Sequence, residues 1–307
     1  MNVIHAANQL GHGSRKVCLA IGVFDGVHLG HQQIIRQTVA DARQHEAIAL
    51  VVTFDRHPST VVAPNRVPPQ IFTRPQKLEA MVDLGADTLL EIHFDQAFSE
   101  KTGEAFIREL ARDLGKIHSV CVGANFVFGR NRSGDVALLK QLGVEFGFQV
   151  HGHAAVALDG ELVSSTRIRA AIREGNLDAA SQMLGRPYTI RGQVLSGDKV
   201  GRQLGFPTAN LEVTGRALPP HGVYAGSATV QGQRYRVALN IGTRPTLANR
   251  EPQLRVEAHL LDFAGDLYGT ELAVEVGVKL RVEQRFASLQ ELQEQIVRDV
   301  VAVRMTV

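Results

Sequence analysis

The sequence predicts an α/β domain built on a doubly wound parallel sheet over residues 1–185, followed by a small antiparallel β-barrel with a C-terminal helix over 186–307. Two observations lead to this. In the first part, short Val/Ile/Leu-rich runs alternate with amphipathic segments, the pattern of strands buried on both faces and joined by helices. In the second part the apolar period falls to two, with turn residues between runs, as in a barrel.

The elements follow in order. Strands are expected at Val17–Val23, Ile48–Phe54, Thr88–Ile92, Ser119–Gly123 and Phe148–Ala155, with helices at Gly30–Gln44, Pro75–Leu84, Glu104–Leu114 and Val136–Leu142 between them. In such a sheet ligands bind outside the carboxyl ends of the strands, which directs attention to the residues just after Val23, Phe54, Gly123 and Ala155. A helix over Leu177–Leu184, capped by Asn176 and Gly185, runs into Arg186-Pro187, where a helix must stop; the domain boundary is placed there. The barrel strands are Tyr188–Leu195, the hairpin Val223–Val230 and Arg234–Leu239 about a Gln231-Gly232-Gln233 turn, Leu254–Leu260 and Glu271–Leu280. Ser288 and Glu291 have capping-box spacing and open a last helix with Leu289, Leu292, Ile296, Val297 and Val300 on one stripe.

Composition narrows the classes. The 307 residues carry a net charge of +2 and no tryptophan, with no basic stripe, so a nucleotide-sized anion is a more natural partner than nucleic acid. Cys18 and Cys121 each lie in an apolar run and read as buried thiols, not as a disulfide or a zinc site. No cationic leader precedes a long apolar stretch and no window approaches a membrane span, so no membrane partner and a cytoplasmic location are expected. Nothing in the pattern indicates an oligomeric state.

Two segments carry chemistry in the first domain. Gly22-Val23-Phe24-Asp25-Gly26-Val27-His28-Leu29-Gly30-His31 leaves a strand, turns through glycines and enters a helix. A helix start offers unpaired N–H groups, glycine lets a phosphate approach, and His28 and His31 can stabilise charge on an α-phosphate. The same pair could be an idle helix start or two metal ligands on one turn, but no third ligand lies at a suitable spacing. Ser164-Ser165-Thr166-Arg167-Ile168-Arg169 brings hydroxyls and guanidinium groups to a second helix start, a cradle for polyphosphate oxygens.

In the second domain, Gly197, Gly201 and Gly205 punctuate a loop that ends in Pro207-Thr208-Ala209-Asn210, and this is not a Walker loop. The Thr208 hydroxyl and the Asn210 amide oxygen are hard ligands suited to magnesium. Glu257 lies on a strand at an otherwise apolar point of the pattern, where a carboxylate can take the proton of an attacking alcohol; the alternative is a solvent-facing glutamate.

H-x-G-H with a later S-S-T-x-I-R resembles the nucleotidyltransferase superfamily, whose fold is Rossmann-like, and G-x-F-D-G-x-H-x-G-H resembles its FMN adenylyltransferase branch. Thr53-Phe54-Asp55-Arg56-His57-Pro58 and Gly123-Ala124-Asn125-Phe126-Val127-Phe128-Gly129 are similar to that branch as well. The barrel motifs, among them Asn240-Ile241-Gly242-Thr243-Arg244-Pro245-Thr246 and Asp262-Phe263-Ala264-Gly265-Asp266-Leu267-Tyr268-Gly269, resemble riboflavin kinase. The resemblance covers nearly the whole chain and implies a bifunctional enzyme that makes FMN from riboflavin and FAD from FMN, using ATP and Mg²⁺ at both steps.

It further implies that ATP lies against Gly22, Phe24, Asp25, Gly30, Ser164, Ser165, Thr166 and Arg169, and flavin against His57, Pro58, Asn125, Phe126 and Phe128. In the barrel it implies Thr208 and Asn210 on the magnesium nucleotide and Glu257 as base. Asn125 stands where many relatives carry aspartate, and Arg56 where they often carry proline. Adenylylation of another phosphate, such as nicotinamide mononucleotide, would leave the barrel without a purpose, and a flavin-sensing module would not need the histidines or Glu257.

Overall fold

The computed structural model describes residues 1–10, 15–196, 200–244 and 253–306. The chain forms two compact units, Met1–Ser165 and Thr166–Val307, a division that falls ahead of the expected one and assigns the helix pair before Gly185 to the second unit.

The first unit runs β1 (Asn2–Ile4), β2 (Val17–Ile21), α1 (Leu29–Gln44), β3 (Ile48–Phe54), α2 (Ser59–Val62), α3 (Arg74–Asp83), β4 (Thr88–Ile92), α4 (Gln96–Ser99), α5 (Gly103–Leu114), β5 (Ile117–Gly123), α6 (Val136–Phe146), β6 (Gln149–His153), and a small hairpin of β7 (Ala157–Leu158) and β8 (Glu161–Leu162). The helix α7 (Ser165–Glu174) spans the division. Every residue of β2 is buried, which explains its continuous apolar run, and the sheet order is β1-β4-β3-β2-β5-β6 with all neighbours parallel. The chain steps outward through β3 and β4, then returns to the other side of β2 for β5 and β6. The carboxyl ends of β2 and β5 therefore flank the topological switch point, where such sheets bind ligands.

Helix α5 shows how this sheet is covered. Thr102 caps its N-terminus by accepting from the Ala105 N–H, Gly115 ends it at φ 75°, and Phe106, Ile107, Leu110 and Leu114 face a core that includes Val17, Leu19, Val120 and Val122. Burying each such large side chain contributes about 1.5–3 kcal/mol. Cys18 and Cys121 are buried thiols as expected, and burial is the main reason the Cys121 thiol is pushed up to about 12.

The second unit continues with α8 (Leu177–Leu184), capped by Asn176 and a left-handed Gly185, then β9 (Thr189–Leu195), α9 (Val200–Gln203), β10 (Ala209–Leu211), β11 (Gly222–Val230), β12 (Gln233–Arg244), β13 (Gln253–Leu260), β14 (Glu271–Arg281) and α10 (Leu289–Met305). The strands close in the order β10-β13-β12-β11-β14-β9, with β9 and β10 paired. Val194, Val223, Leu239, Val256, Ala258 and Val274 are buried, as the period of two requires. Ser288 caps α10 by accepting from the Glu291 N–H. The stripe expected on α10 is corrected: Leu289 and Val297 are exposed, and the inward face carries Leu292, Ile296, Val300 and Val303.

Candidate active sites

The strand β2 ends at Ile21, two residues before the predicted end at Val23, because the chain then turns left-handed at Phe24 (φ 54°), Gly26 (φ 78°) and Val27 (φ 38°). Left-handed backbone at residues other than glycine costs about 1–3 kcal/mol each and persists only where the surroundings over-determine it. Here they do. The Asp25 carboxylate accepts from the N–H groups of Ile71 and Phe72 at 3.1 Å, the Asp25 carbonyl accepts from the Ser165 hydroxyl at 3.0 Å, and the Val23 carbonyl accepts from the Thr53 hydroxyl at 3.0 Å. Phe24 is buried against Gly22 and meets the His31 ring edge-on at 5.2 Å. The side chains of Phe24 and Asp25, both expected at ATP, are thus committed to building the loop.

His28 caps α1: its Nδ1 accepts from the His31 N–H at 3.4 Å, and the two rings stack 3.6 Å apart. A Cβ on Gly30 would sit 3.3 Å from the His28 ring, so glycine is what lets that ring fold back over the helix start. His31 Nδ1 is buried with no hydrogen-bond partner among the described residues. Burial first, and the His28 ring second, hold His31 well below the usual imidazole value, so it is neutral at pH 7. An anion placed here meets a helix N-terminus and the His31 imidazole, whose Nδ1 has no hydrogen-bond partner among the described residues.

His57 is half-buried and its Nδ1 accepts from the Ser59 N–H at 3.1 Å; with Pro58 it leads from the end of β3 into α2. Asn125 is exposed just past β5. Phe126 and Phe128 stack at 5.1 Å, and both pack on the core; the Phe128 ring lies so close to Gly103 and Gly134 that a Cβ on Gly134 would be 2.7 Å from it. Phe128 is a structural residue of its loop. Ser164 is half-buried; Thr166, exposed, and Arg169, half-buried, lie on α7 in the second unit. Arg56 pairs with its neighbour Asp55 at 3.1 Å.

Sequence reasoning missed Lys77, whose ammonium donates to the Thr53 hydroxyl at 3.3 Å and to the Phe54 carbonyl at 3.1 Å, beneath the carboxyl end of β3. Burial lowers its pKa. The signal was present: Lys77 precedes the buried Ala80 and Met81 by three and four residues and so shares their helix face.

Among the described residues, cavities of about 940 and about 440 Å³ open on the barrel. Gly197 and the Pro245-Thr246 end of the second motif lie outside the described residues. Gly201 has no room for a side chain, since a Cβ there would be 2.5 Å from the Phe206 carbonyl, and Gly205 turns at φ +90°. Those turns deliver Thr208 and Asn210, which line both cavities. On β13, Val256, Ala258 and Leu260 point into the barrel, while Arg255, Glu257 and His259 line the larger cavity. Glu257 stands directly opposite Asn210 of β10 and Asn240 of β12. It is neither at an apolar point of its own face nor on open surface. Arg281, also on this wall, makes a paired contact with the buried Asp299 of α10 at 2.7 and 2.9 Å.

Among the described residues no three His, Cys, Asp or Glu side chains are grouped to hold a metal ion, and no helix is long and apolar enough to cross a membrane. The FAD synthetase family model matches residues 12–167 and the riboflavin kinase model residues 184–307. The bifunctional riboflavin kinase/FMN adenylyltransferase of Escherichia coli (strain K12) is 37% identical over 306 residues, 99% of this chain and 97% of that one. The protein of the same description from Pseudomonas fluorescens is 39% identical over 304 residues with the same coverage, and that from Bacillus subtilis (strain 168) is 32% identical over 308 residues. A solved structure from Streptococcus pneumoniae, described as a macrolide-efflux protein, superposes with a TM-score of 0.84 at 28% identity over 99% of both chains. By both family models and by relatives matched end to end, this chain belongs to the bifunctional riboflavin kinase/FMN adenylyltransferase family.

Proposed function

We propose that the barrel phosphorylates riboflavin to FMN and that the parallel-sheet unit adenylylates FMN to FAD, with the functional boundary at Gly185-Arg186 and both reactions in the cytoplasm. The chain is an ATP-dependent transferase of FAD biosynthesis.

The kinase half rests on one observation: Thr208 and Asn210 line both cavities, whereas Glu257 lines only the larger. A base must stand on the side of the group it deprotonates. Riboflavin therefore takes the larger cavity and ATP the smaller, and the phosphoryl group crosses at β10. Glu257 takes the proton of the ribityl hydroxyl as that oxygen attacks the γ-phosphorus and ADP leaves. Thr208 and Asn210 fit a hard cation, because both offer neutral oxygens on one wall with a carboxylate opposite. Bound there, Mg²⁺ supplies neutralisation of phosphate charge.

In the first unit, His28 and His31 at the start of α1 stabilise charge on the α-phosphate while the FMN phosphate displaces pyrophosphate in line. The glycines and main chain of the 22–31 loop, with Ser164 and Ser165, hold ATP. His57, Pro58, Asn125 and Phe126 form the flavin side, and Phe128 shapes it from behind. The adenylyl-transfer step has no covalent intermediate; positioning and charge stabilisation do the catalysis.

The test is incubation of the pure protein with riboflavin, ATP and Mg²⁺, with products separated over time. FMN is expected first and FAD after it. FMN alone would overturn the reading of the first unit, and bound flavin without product would overturn both.

A further inference from the structure

We propose that His259 is a positioning residue of the kinase reaction: its imidazole holds the Pro207 carbonyl and thereby sets the Thr208 side chain at the junction of the two cavities. This rests on the kinase reading of the barrel. The register pairs Ala209 with Ala258 and Asn210 with Glu257. The same register carried one residue back would set Thr208 opposite His259, and Thr208, Asn210, Glu257 and His259 all line the larger cavity.

The segment needs such a restraint. Pro207 has no N–H to give to a ladder, and β10, which begins two residues later, is only three residues long. On one side, the Phe206 N–H donates to the Gly201 carbonyl at 2.7 Å. On the other, His259 Nδ1 lies 2.8 Å from the Pro207 carbonyl oxygen. A carbonyl only accepts, so Nδ1 carries the proton and donates. The Phe206 ring meets the same imidazole edge-on at 5.6 Å, which fixes its plane. With Pro207 free to swing, Thr208 would lose its aim while Asn210, inside the ladder, kept its own.

Three variants separate this role from simple packing. Asparagine places an amide N–H close to the position of Nδ1, whereas phenylalanine keeps the ring contact with Phe206 and has no donor. His259→Ala and His259→Phe are expected to lower kcat for FMN formation about 10–100-fold, the size of effect seen when a supporting partner of a site residue is removed. His259→Asn should restore it, and FAD formation from supplied FMN should be unchanged in all three. Activity in the Phe variant, inactivity in the Asn variant, or an unaffected Ala variant would each overturn the proposal. Nitrogen-15 spectra of the unmodified full chain give a readout that does not depend on folding of variants: the His259 ring must show the Nδ1–H tautomer, and the Nε2–H tautomer would refute the role. Glu257→Gln is the control; if it makes FMN at the normal rate, the placement of the kinase site fails, not the role of His259.

Discussion

His28 and His31 stack at a helix start, and burial keeps His31 neutral, an arrangement suited to receiving negative charge. A phosphate there favours the protonated ring, so ATP binding should raise the His31 pKa from its depressed value and take up a proton. The stability linked to His31 is complete above its unfolded value near 6.5 and is lost as pH falls through the lower folded value. Calorimetry of ATP binding in buffers of different ionisation enthalpy should show net uptake near pH 6.5, absent from His31→Asn; equal heats after buffer correction would refute it. His28→Ala should lower FAD formation by about 10²–10³, in line with loss of one charge-stabilising donor, while FMN still accumulates. That the two histidines come together was legible because they lie three residues apart at one helix start. The loop-building bonds of Asp25 were not legible, because the partners Ile71 and Phe72 lie more than forty residues away. Phe128 was ambiguous because its close contacts with Gly103 and Gly134 exist only once the loop has folded against α5.

Elements of strong periodicity were legible at nearly their true bounds: β3, β4 and α8 coincide with expectation, because continuous burial or a capped amphipathic face decides them locally. The strand β10 was read as a loop, since three residues after a proline carry no periodic signal and pair only because β9 and β13 flank them. The outward stripe of α10 was misassigned because Leu289 and Val297 satisfy helical spacing without meeting the barrel. Besides its apolar face, α10 is held by an ion pair: Arg281 and Asp299 keep only 17% and 7% of their side chains exposed. Removing one partner of such a pair leaves a charge uncompensated, at a cost of about 3–5 kcal/mol. Asp299→Ala should therefore destabilise the barrel by that order in urea unfolding and raise KM for riboflavin, because both residues line the larger cavity. Unchanged unfolding would show that the contact is solvated and weak.

At the scale of the molecule, domain order and both reaction classes were readable from motifs, whereas the pairing of the two cavities was not, because it depends on barrel closure. Each unit completes its own sheet; the transfer histidines lie in the first, and Thr208, Asn210 and Glu257 lie in the second. The two reactions should therefore be separable on different molecules. A mixture of His28→Ala and Glu257→Gln proteins, given riboflavin, ATP and Mg²⁺, is expected to make FAD after a lag, because FMN formed on the first variant enters the adenylyl-transfer site of the second. The lag should shorten as the Glu257→Gln protein is increased, since encounter with that site then limits the flux. Absence of FAD from the mixture, with each variant retaining its remaining activity alone, would mean that FMN passes between sites without leaving the chain, and the units would have to be treated as one catalytic device.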